Sequence, residues 1–514
     1  MAYQYWTNFS SHVHGVEVMV TDAGSIVEIG PASLLAMKTG RDAVVDCEGA
    51  FLTPGFWDSH MHLLEYGRSF RRLTIPPDVL RPEAMDLIRQ WTQKRVDGRE
   101  WVLGGGWNSH NWDQPPTASA LSSVSLGHPA LLFSHDHHSA WLNREALEML
   151  GLSRDTKPVA GGVIERDHHG EPTGIIREKQ VQWALAGMEE PSLEINRKDV
   201  KRAMHEASRL GLVGATSMEQ PPGLQALQTI DEADFPMRVD VMLPDTALVP
   251  LRASGIRGGF GGDRLRIKGI KLFWDGALGS QTAWLKTPYE GQADYRGVPV
   301  LSPSTAKALV DDAGRMGMAV AMHAIGDEAV HQALAILSLA RYSSPLHRVE
   351  HAQLLDSQDL EFLSDHFALS MQPVHMVDDY PIAQEYWGNR WTDAFRFRSI
   401  WQHGTVVVFG SDAPIATPDV RWGLWMAVHR APPDRPQDLW PVNEALSPTQ
   451  AMDAYTRLPA LADGRQAGVL APGFKADFTF WRHDPVAALT QRCWEDLTVV
   501  GTAVAGQRVW WQGV

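Results

Sequence analysis

The chain has 514 residues, of which 44% are hydrophobic and 21% are charged, a balance typical of a globular protein. Its formal net charge of -15, without a Lys/Arg block, disfavours nucleic acid as a partner, because an acidic surface repels phosphate backbones. Two cysteines, Cys47 and Cys493, exclude a disulfide framework and disfavour a cysteine-based zinc site.

The N-terminal stretch MAYQYWTNFSSHVHGVEVMV lacks the basic start and the apolar run of a signal peptide. No segment approaches the roughly 18 to 20 apolar residues that a membrane span requires. We therefore expect a cytoplasmic protein without a membrane partner.

Both ends of the chain alternate short β-like runs with turns, as in VEVMVTDAGSIVEIG and AGVLAPGFKADFTFWRHDP. Neither end has enough strands to bury a core by itself, since an isolated hairpin is marginally stable. The sequence predicts one small β-sandwich built from residues 1–54 and 465–514. The alternative is two independent hairpins laid on the main domain.

Short apolar runs alternate with helical patterns between these ends. Strands that alternate with helices predict βαβ units and a parallel sheet, and eight such units favour a closed (β/α)8 TIM barrel, at residues 55–464. The eight candidate strands lie around 54–60, 212–219, 237–243, 265–273, 319–324, 347–351, 367–373 and 405–411.

The first and second of these strands are too far apart for a single crossover. The intervening stretch has strand-like runs of its own, REWVLGGGWN and HPALLFSH, and the helical pattern PEAMDLIRQWTQKR. It predicts a subdomain, at about residues 68–205, inserted after the first strand. An insertion there would emerge on the C-terminal face of the barrel, where the active sites of such barrels lie.

The first barrel strand ends in GFWDSHMH, which places His60 and His62 one residue apart. In a strand, residues i and i+2 project to the same side, so the two imidazoles point together. Two imidazoles on one side can bind one metal ion, with carboxylate or water completing its coordination. The alternative for each histidine is a hydrogen-bonded place in the core.

Three further strand ends carry polar groups: His323 in AVAMHAIGD, His351 in RVEHAQ and Asp412 in VVVFGSDAP. Each follows an apolar run, where burying an unpaired polar group is costly. Because they would collect on one barrel rim, we expect a metal site there. Imidazole and carboxylate accept several metals, so we expect one or two divalent ions, zinc first, with manganese or iron as alternatives.

Lys271 lies in the fourth strand between Ile270 and Leu272. A buried ammonium is destabilised, so the neutral amine becomes available, and with CO2 it can form a carbamate whose oxygens could bridge two metals. The alternative is an ion pair with Asp275. Lys268 is a poorer candidate, because an odd separation places it on the opposite face of a regular strand.

These motifs belong to a longer series: FLTPGFWDSHMHLLEYG, GGGWN, DHHSAWLN, GIIRE, GIKLFWDGALGS, MHAIGDEAV, VEHAQLL, SMQPVH, GSDAPI and GVLAPGFKADFTFW. The series spans essentially the whole chain. It resembles the amidohydrolase superfamily, in the branch (amidohydrolase family 3) that contains N-substituted formamide deformylase. The combination is specific to that branch, although no single motif is.

The resemblance implies two metal positions bridged by a carboxylated Lys271, and a homodimer. No ligand position departs from the family pattern. The residues it assigns are His60, His62 and Asp412 for the first metal, and His323 and His351 for the second.

The expected reaction follows from this site. A metal-bound water ionises near neutral pH, and Asp412 can accept the proton of the attacking hydroxide and deliver it to the leaving nitrogen. We expect hydrolysis of a C–N bond in a small-molecule amide, an N-substituted formamide being one candidate. The alternatives are an ester, lactone or cyclic amide at the same metals, or a non-catalytic metal-binding regulatory protein.

Four side chains are candidates for substrate contact. His375, in MQPVHMVDDY, follows the seventh strand, and Trp274 follows Lys271. Trp107 lies in the insertion, and aromatic walls favour apolar substituents. His138, in DHHSAW, aligns with a family histidine, although many relatives have glycine before it where this chain has His137. Packing of the tryptophans in their own cores is the alternative.

Overall fold

The computed structural model describes residues 3–76, 78–94, 100–109, 112–135, 139–341 and 343–514. Its strands, in chain order, are β1 Gln4–Thr7, β2 Val18–Asp22, β3 Ser25–Gly30, β4 Ala43–Asp46, β5 Phe51–Pro54, β6 Phe56–Met61, β7 Leu73–Thr74, β8 Val102–Trp107, β9 Ala130–Ser134, β10 Ser139–Leu142, β11 Gly162–Arg166, β12 Pro172–Glu178, β13 Leu212–Met218, β14 Arg238–Pro244, β15 Leu265–Phe273, β16 Ala319–Ala324, β17 Arg348–His351, β18 Ala368–Met371, β19 Val406–Phe409, β20 Phe478–Trp481, β21 Val499–Val504 and β22 Gln507–Trp511.

The α-helices alternate with the barrel strands and also occur in the inserted region. In chain order they are α1 Leu63–Ser69, α2 Arg81–Gln93, α3 Ala118–Ser122, α4 Arg144–Met149, α5 Lys179–Ala186, α6 Leu193–Arg209, α7 Pro221–Gln228, α8 Leu248–Ala253, α9 Pro303–Arg315, α10 Asp327–Leu337, α11 Met376–Trp387, α12 Phe397–Gln402, α13 Val420–His429, α14 Pro448–Tyr455, α15 Arg457–Ala462 and α16 Pro485–Gln491. In the described ranges, no helix combines the length and apolar character needed to cross a bilayer.

Eight parallel strands form the central sheet, in the order β6-β13-β14-β15-β16-β17-β18-β19. Each of the eight strands expected from the sequence is present within a few residues of its predicted bounds. Most are apolar along their length, as VVVF in β19, because a parallel strand is covered on both faces. The helices between them carry ordinary start signals; α9, for example, begins after Ser302, whose side chain accepts a hydrogen bond from the backbone N–H of Thr305.

The sheet closes into a nearly complete ring where β19 meets β6. The backbone N–H of Asp412 donates to the carbonyl of His60 at 2.6 Å, and the Ser411 hydroxyl donates to Asp58 at 2.6 Å. Gly410 lies at this seam, where an added Cβ would come within 2.5 Å of the backbone nitrogen of His60. The predicted TIM barrel is confirmed, and this seam places Asp412 beside the first pair of histidines.

The two ends of the chain form two four-stranded sheets, one in the order β3-β2-β1-β4 and one in the order β22-β21-β20-β5. The second sheet joins β5 to strands from the last forty residues through antiparallel pairing of Phe51–Pro54 with Phe478–Trp481. Trp6 packs between Phe478 and Phe480, with ring centroids 5.4 and 5.8 Å away, so both ends contribute to one hydrophobic core.

The inserted region forms a compact unit of its own, Arg68–Ser192, and α6 belongs to the unit that contains the barrel. The sheet of the inserted unit has the order β11-β12-β10-β9-β8-β7. Buried Trp107 and Trp141 pack with Trp112 in its core.

Strand β15 contains a bulge that affects the lysine argument. Val241 pairs with Ile267 and the next residue, Met242, pairs with Gly269, so Lys268 is an extra residue in the ladder. Lys268 is buried in an ion pair with Asp463. The expectation that odd spacing sends Lys268 to the opposite face from Lys271 assumed a regular strand, and the bulge removes that basis.

Candidate metal centre

Six side chains singled out from the sequence lie together at the carboxyl ends of the barrel strands. They are His60 and His62 at the end of β6, Lys271 near the end of β15, His323 on β16, His351 on β17 and Asp412 just after β19. His60, Lys271, His351 and Asp412 are buried, while His62 and His323 are partly exposed. Since parallel barrel strands end at one rim, the fold alone brings these distant residues together.

Asp412 connects the histidines of the first strand. Its Oδ1 lies 3.4 Å from Nε2 of His60 and 3.2 Å from Nε2 of His62. His60, His351 and Asp412 each present one possible ligand atom, and these three atoms lie within 4.8 Å of one another. The His351 ring lies 4.6 Å from that of His323, so the cluster is continuous across the rim.

Each imidazole has one ring nitrogen bonded to another group of the protein. This leaves the second nitrogen of the ring for a ligand, an arrangement typical of metal-binding histidines. The bonded pairs are Nδ1 of His60 with Glu350 Oε2 at 2.6 Å, Nδ1 of His62 with the Met218 carbonyl at 3.0 Å, Nε2 of His323 with the Gly276 carbonyl at 2.9 Å, and Nδ1 of His351 with Gln372 Oε1 at 2.8 Å.

Sequence reasoning missed Glu350 and Gln372. Glu350 stands beside His351 in RVEH, and Gln372 follows the apolar strand β18. Both are buried polar residues in or next to barrel strands, and that was the available signal. Their partners lie on neighbouring or distant strands, which the linear sequence does not reveal.

Burial keeps three of the four imidazoles neutral, whereas at His62 the hydrogen bond to Asp412 and the charge of that carboxylate together outweigh burial and raise the pKa. It lowers the pKa of His60 to about 4 and of His323 to about 3, with the nearby Lys271 charge adding to both shifts. Burial and the neighbouring histidines hold the pKa of His351 well below its usual range. Neutral imidazole is the form that binds a metal ion, so these rings are ready to act as ligands.

Lys271 and Asp412 are shifted in ways that suit a metal site. Burial lowers the pKa of Lys271 to about 8, which raises the fraction of neutral amine. Burial alone would raise the pKa of Asp412, but His60 and the hydrogen bond from His62 hold it well below its usual range, so the carboxylate is ionised. Asp275, the alternative partner of Lys271, instead accepts hydrogen bonds from backbone N–H groups, among them those of Trp284 and Gly326.

Two residues of the cluster have left-handed backbone conformations. The φ angles are +69° at His351 and +60° at Asp412. Non-glycine residues adopt such angles at a cost of about 1–3 kcal/mol, and they do so most often at functional sites. The barrel therefore holds both side chains in orientations that an unconstrained chain would disfavour.

The donor set fits a divalent cation. Four imidazoles with fixed ring nitrogens and one ionised carboxylate converge in a buried rim, which is the ligand chemistry of zinc and related ions. The sequence assignment of these six residues to two metals stays a prediction.

The predicted substrate residues have different surroundings. His375 lies at the cluster: its Nε2 is 3.2 Å from the Ser411 carbonyl and 4.0 Å from Oδ2 of Asp412. Trp274 is fully buried, with its Nε1 3.4 Å from the Met322 sulfur, and the Trp107 indole donates to the Leu132 carbonyl in the core of its own unit.

Contact of these three side chains with a substrate stays a prediction. His138 lies outside the residues that the structure describes.

Comparison with known proteins extends these observations to nearly the full chain. A family profile described as Amidohydrolase family matches residues 43–510. The N-substituted formamide deformylase of Arthrobacter pascens is 26% identical, with 95% of this chain and 94% of the relative covered. Protein LONG AFTER FAR-RED 3 of Arabidopsis thaliana is 28% identical, with 95% and 87% covered.

A solved structure is similar over the same extent. It is that of an uncharacterized metal-dependent hydrolase from Pyrococcus horikoshii OT3, with a TM-score of 0.80 and 26% identity. The alignment covers 94% of this chain and 98% of that one.

Proposed function

Because this chain belongs to the amidohydrolase family and is a metal-dependent hydrolase, we propose that it cleaves the C–N bond of a small-molecule amide other than a peptide. An N-substituted formamide is the first substrate class to test, since a relative aligned over 95% of the chain is named for that reaction. The observation that carries the proposal is the convergence of four imidazoles and the ionised Asp412 at the barrel rim.

The residues at the rim divide into two metal positions in this proposal. His60, His62 and Asp412 would hold the first ion, His323 and His351 would hold the second, and a carboxylated Lys271 would be a ligand of both. Zinc is the preferred ion, with manganese or iron as alternatives. A divalent ion bound here supplies Lewis acidity, which activates water and polarises a carbonyl group.

Asp412 transfers the proton in this mechanism. Its ionised carboxylate accepts a proton from the attacking water and then donates that proton to the leaving nitrogen, so one residue serves as base and as acid. An amide needs the second step, because an amine leaves only after protonation. His375, with its Nε2 4.0 Å from Asp412, is placed to orient the substrate or the tetrahedral intermediate.

A substrate panel tests the reaction class. Zinc-loaded protein would be incubated with N-substituted formamides, the matching acetamides, a cyclic amide, an ester and a lactone, and product release would be followed by chromatography. Preferential release of amine and carboxylate from the amides supports the proposal. Turnover of the ester or lactone alone would replace it with the corresponding alternative. No turnover in fully metallated protein would favour a non-catalytic metal-binding role.

A further inference from the structure

The protein groups that bind the four imidazoles differ in charge. The acceptor on His60 is the carboxylate of Glu350, at 2.6 Å. The acceptors on the other three rings are the carbonyls of Met218 and Gly276 and the side-chain amide of Gln372, all of which are neutral. A carboxylate behind a histidine makes its opposite nitrogen a stronger donor than a neutral acceptor does.

Glu350 forms an ion pair with an adjacent arginine, which favours its charged form. It has no exposed surface, and its Oε1 lies 2.5 Å from Nε of Arg348. Arg348 is itself buried, and its Nη2 donates to the carbonyl of Ser59, the residue before His60, at 2.7 Å. Arg348, Glu350 and the His60 imidazole therefore form one connected series of contacts inside the barrel, and both of its ends reach β6.

This series of contacts determines which nitrogen of His60 carries the proton. A carboxylate at Nδ1 can only accept, so the proton stays on Nδ1 and the lone pair of Nε2 faces Asp412 and Lys271. A neutral amide in place of Glu350 could instead donate to Nδ1, which would put the proton on Nε2. An Nε2 that carries a proton cannot bind a metal ion.

The geometry points to Glu350 as a positioning residue, which acts through His60 to make the position formed by His60, His62 and Asp412 the tighter of the two metal positions. This inference rests on the proposed metal-dependent function. It adds an order of filling: the first equivalent of metal occupies the position backed by the carboxylate, and the position of His323 and His351 fills afterwards.

Zinc binding by Glu350→Gln tests the inference. Chelator-treated protein would be titrated with Zn²⁺ in competition with a chromophoric chelator, which yields the affinities of the first and second equivalents without any substrate. We expect wild type to show two distinct affinities, and Glu350→Gln to weaken the tighter one by about 10–100-fold. A tight affinity within twofold of wild type in a folded variant would overturn the inference and leave the proposed function standing. A wild type that binds no Zn²⁺ would remove both.

Asp240→Asn is the matched control. Asp240 is also a fully buried barrel carboxylate paired with arginines, Arg266 and Arg465, and it contacts none of the metal-binding residues. This variant should lower the melting temperature and leave the Zn²⁺ affinities unchanged. An equal loss of affinity in both variants would show that Glu350 acts through general stability and would overturn the positioning role.

Two further measurements keep the inference testable if Glu350→Gln folds poorly. Arg348→Lys retains a positive charge but loses the link to Ser59, so it should weaken the tighter affinity by less than Glu350→Gln does. In apo wild type, the short bond between His60 and Glu350 should give a proton resonance far downfield in the NMR spectrum. That resonance should shift in Arg348→Lys and persist in Asp240→Asn; its absence in wild type would contradict the geometry.

Discussion

The side-chain nitrogen of Lys271 lies 3.5 Å from Nε2 of His60, and within the described part of the chain no carboxylate forms an ion pair with it. Burial lowers the pKa of Lys271 to about 8. The neutral amine, which burial favours at Lys271, is the form of lysine that reacts with CO2. This relationship supports the proposed carbamate bridge.

Lys271→Met should remove the bridge while keeping the length and apolar stem of the side chain. We expect the zinc content to fall from about two ions to about one per chain, because the second position loses its anionic ligand. Elemental analysis of protein purified without chelator measures this directly. Retention of two ions in the variant would show that Lys271 does not bridge them.

Carboxylation itself can be observed in wild type. Protein loaded with zinc in ¹³C-bicarbonate should show a carbamate carbon resonance that is missing in Lys271→Met. Loading without bicarbonate should give less bound zinc than loading with it. Equal zinc content under both conditions would argue for an unmodified lysine.

Asp412→Asn should abolish most activity, because the amide neither ligates as a carboxylate nor transfers the proton. We expect a loss in kcat of about 10²–10⁴-fold or more on any substrate that the panel identifies. The matched control is Asp419→Asn in the same connection after β19. Asp419 caps α13 through the backbone N–H of Arg421 at 3.1 Å, so this variant should lose about 1 kcal/mol of stability or less and keep its activity.

Metal removal should lower both activity and stability. In the metal-free protein, four imidazoles and a carboxylate lie close together at the rim without the cation that they are proposed to bind. An ion that binds only the folded protein stabilises it by about 2.7 kcal/mol at a concentration 100 times its dissociation constant. Dialysis against a chelator should therefore lower the melting temperature, and added zinc should restore it. An unchanged melting temperature with full zinc loss would mean that the rim is stable without metal.

The barrel and its rim could be predicted from the sequence because each depends on a local pattern. Apolar runs such as VVVFGS identify the strands. A polar residue at the end of such a run lies on the rim, regardless of where the helices lie. His323 and His351 are more than 250 residues from His60 in the sequence, yet all three are found from strand ends alone. Parallel topology supplies the long-range information that the local sequence lacks.

The hydrogen-bond partners of the proposed metal ligands could not be predicted in the same way. Glu350 reaches His60 across 290 residues of sequence, and no local pattern pairs them. The bulge at Lys268 has a similar origin, since it appears only in the register between β14 and β15. Both features depend on which strand faces which at a given height in the barrel, and hydrophobic periodicity does not specify this.

The ion pairs around Asp240 predict that the free energy of unfolding decreases at acid pH. Arg266 binds both oxygens of this buried carboxylate at 2.7 and 2.9 Å, and Arg465 pairs with it as well. Burial alone would raise the pKa of Asp240, but the charges of Arg465 and Arg266 outweigh it and lower the pKa to about 2. A carboxyl group whose pKa is lowered by folding stabilises the protein above its unfolded pKa of about 3.9, and that contribution is lost as the pH falls towards 2.

Asp240→Asn should therefore cost most at neutral pH, where removing one partner leaves two arginines uncompensated, a loss of about 3–5 kcal/mol. The cost should shrink by about 2–3 kcal/mol between pH 5 and pH 2, since wild type loses the same ion pairs when Asp240 is protonated. Urea unfolding of both proteins across this range measures the difference. Asp311→Asn, which removes a half-exposed pair with Lys307, is the control and should change stability by less than about 0.5 kcal/mol at every pH. A cost for Asp240→Asn that stays constant down to pH 2 would mean that this carboxyl group does not carry the acid dependence.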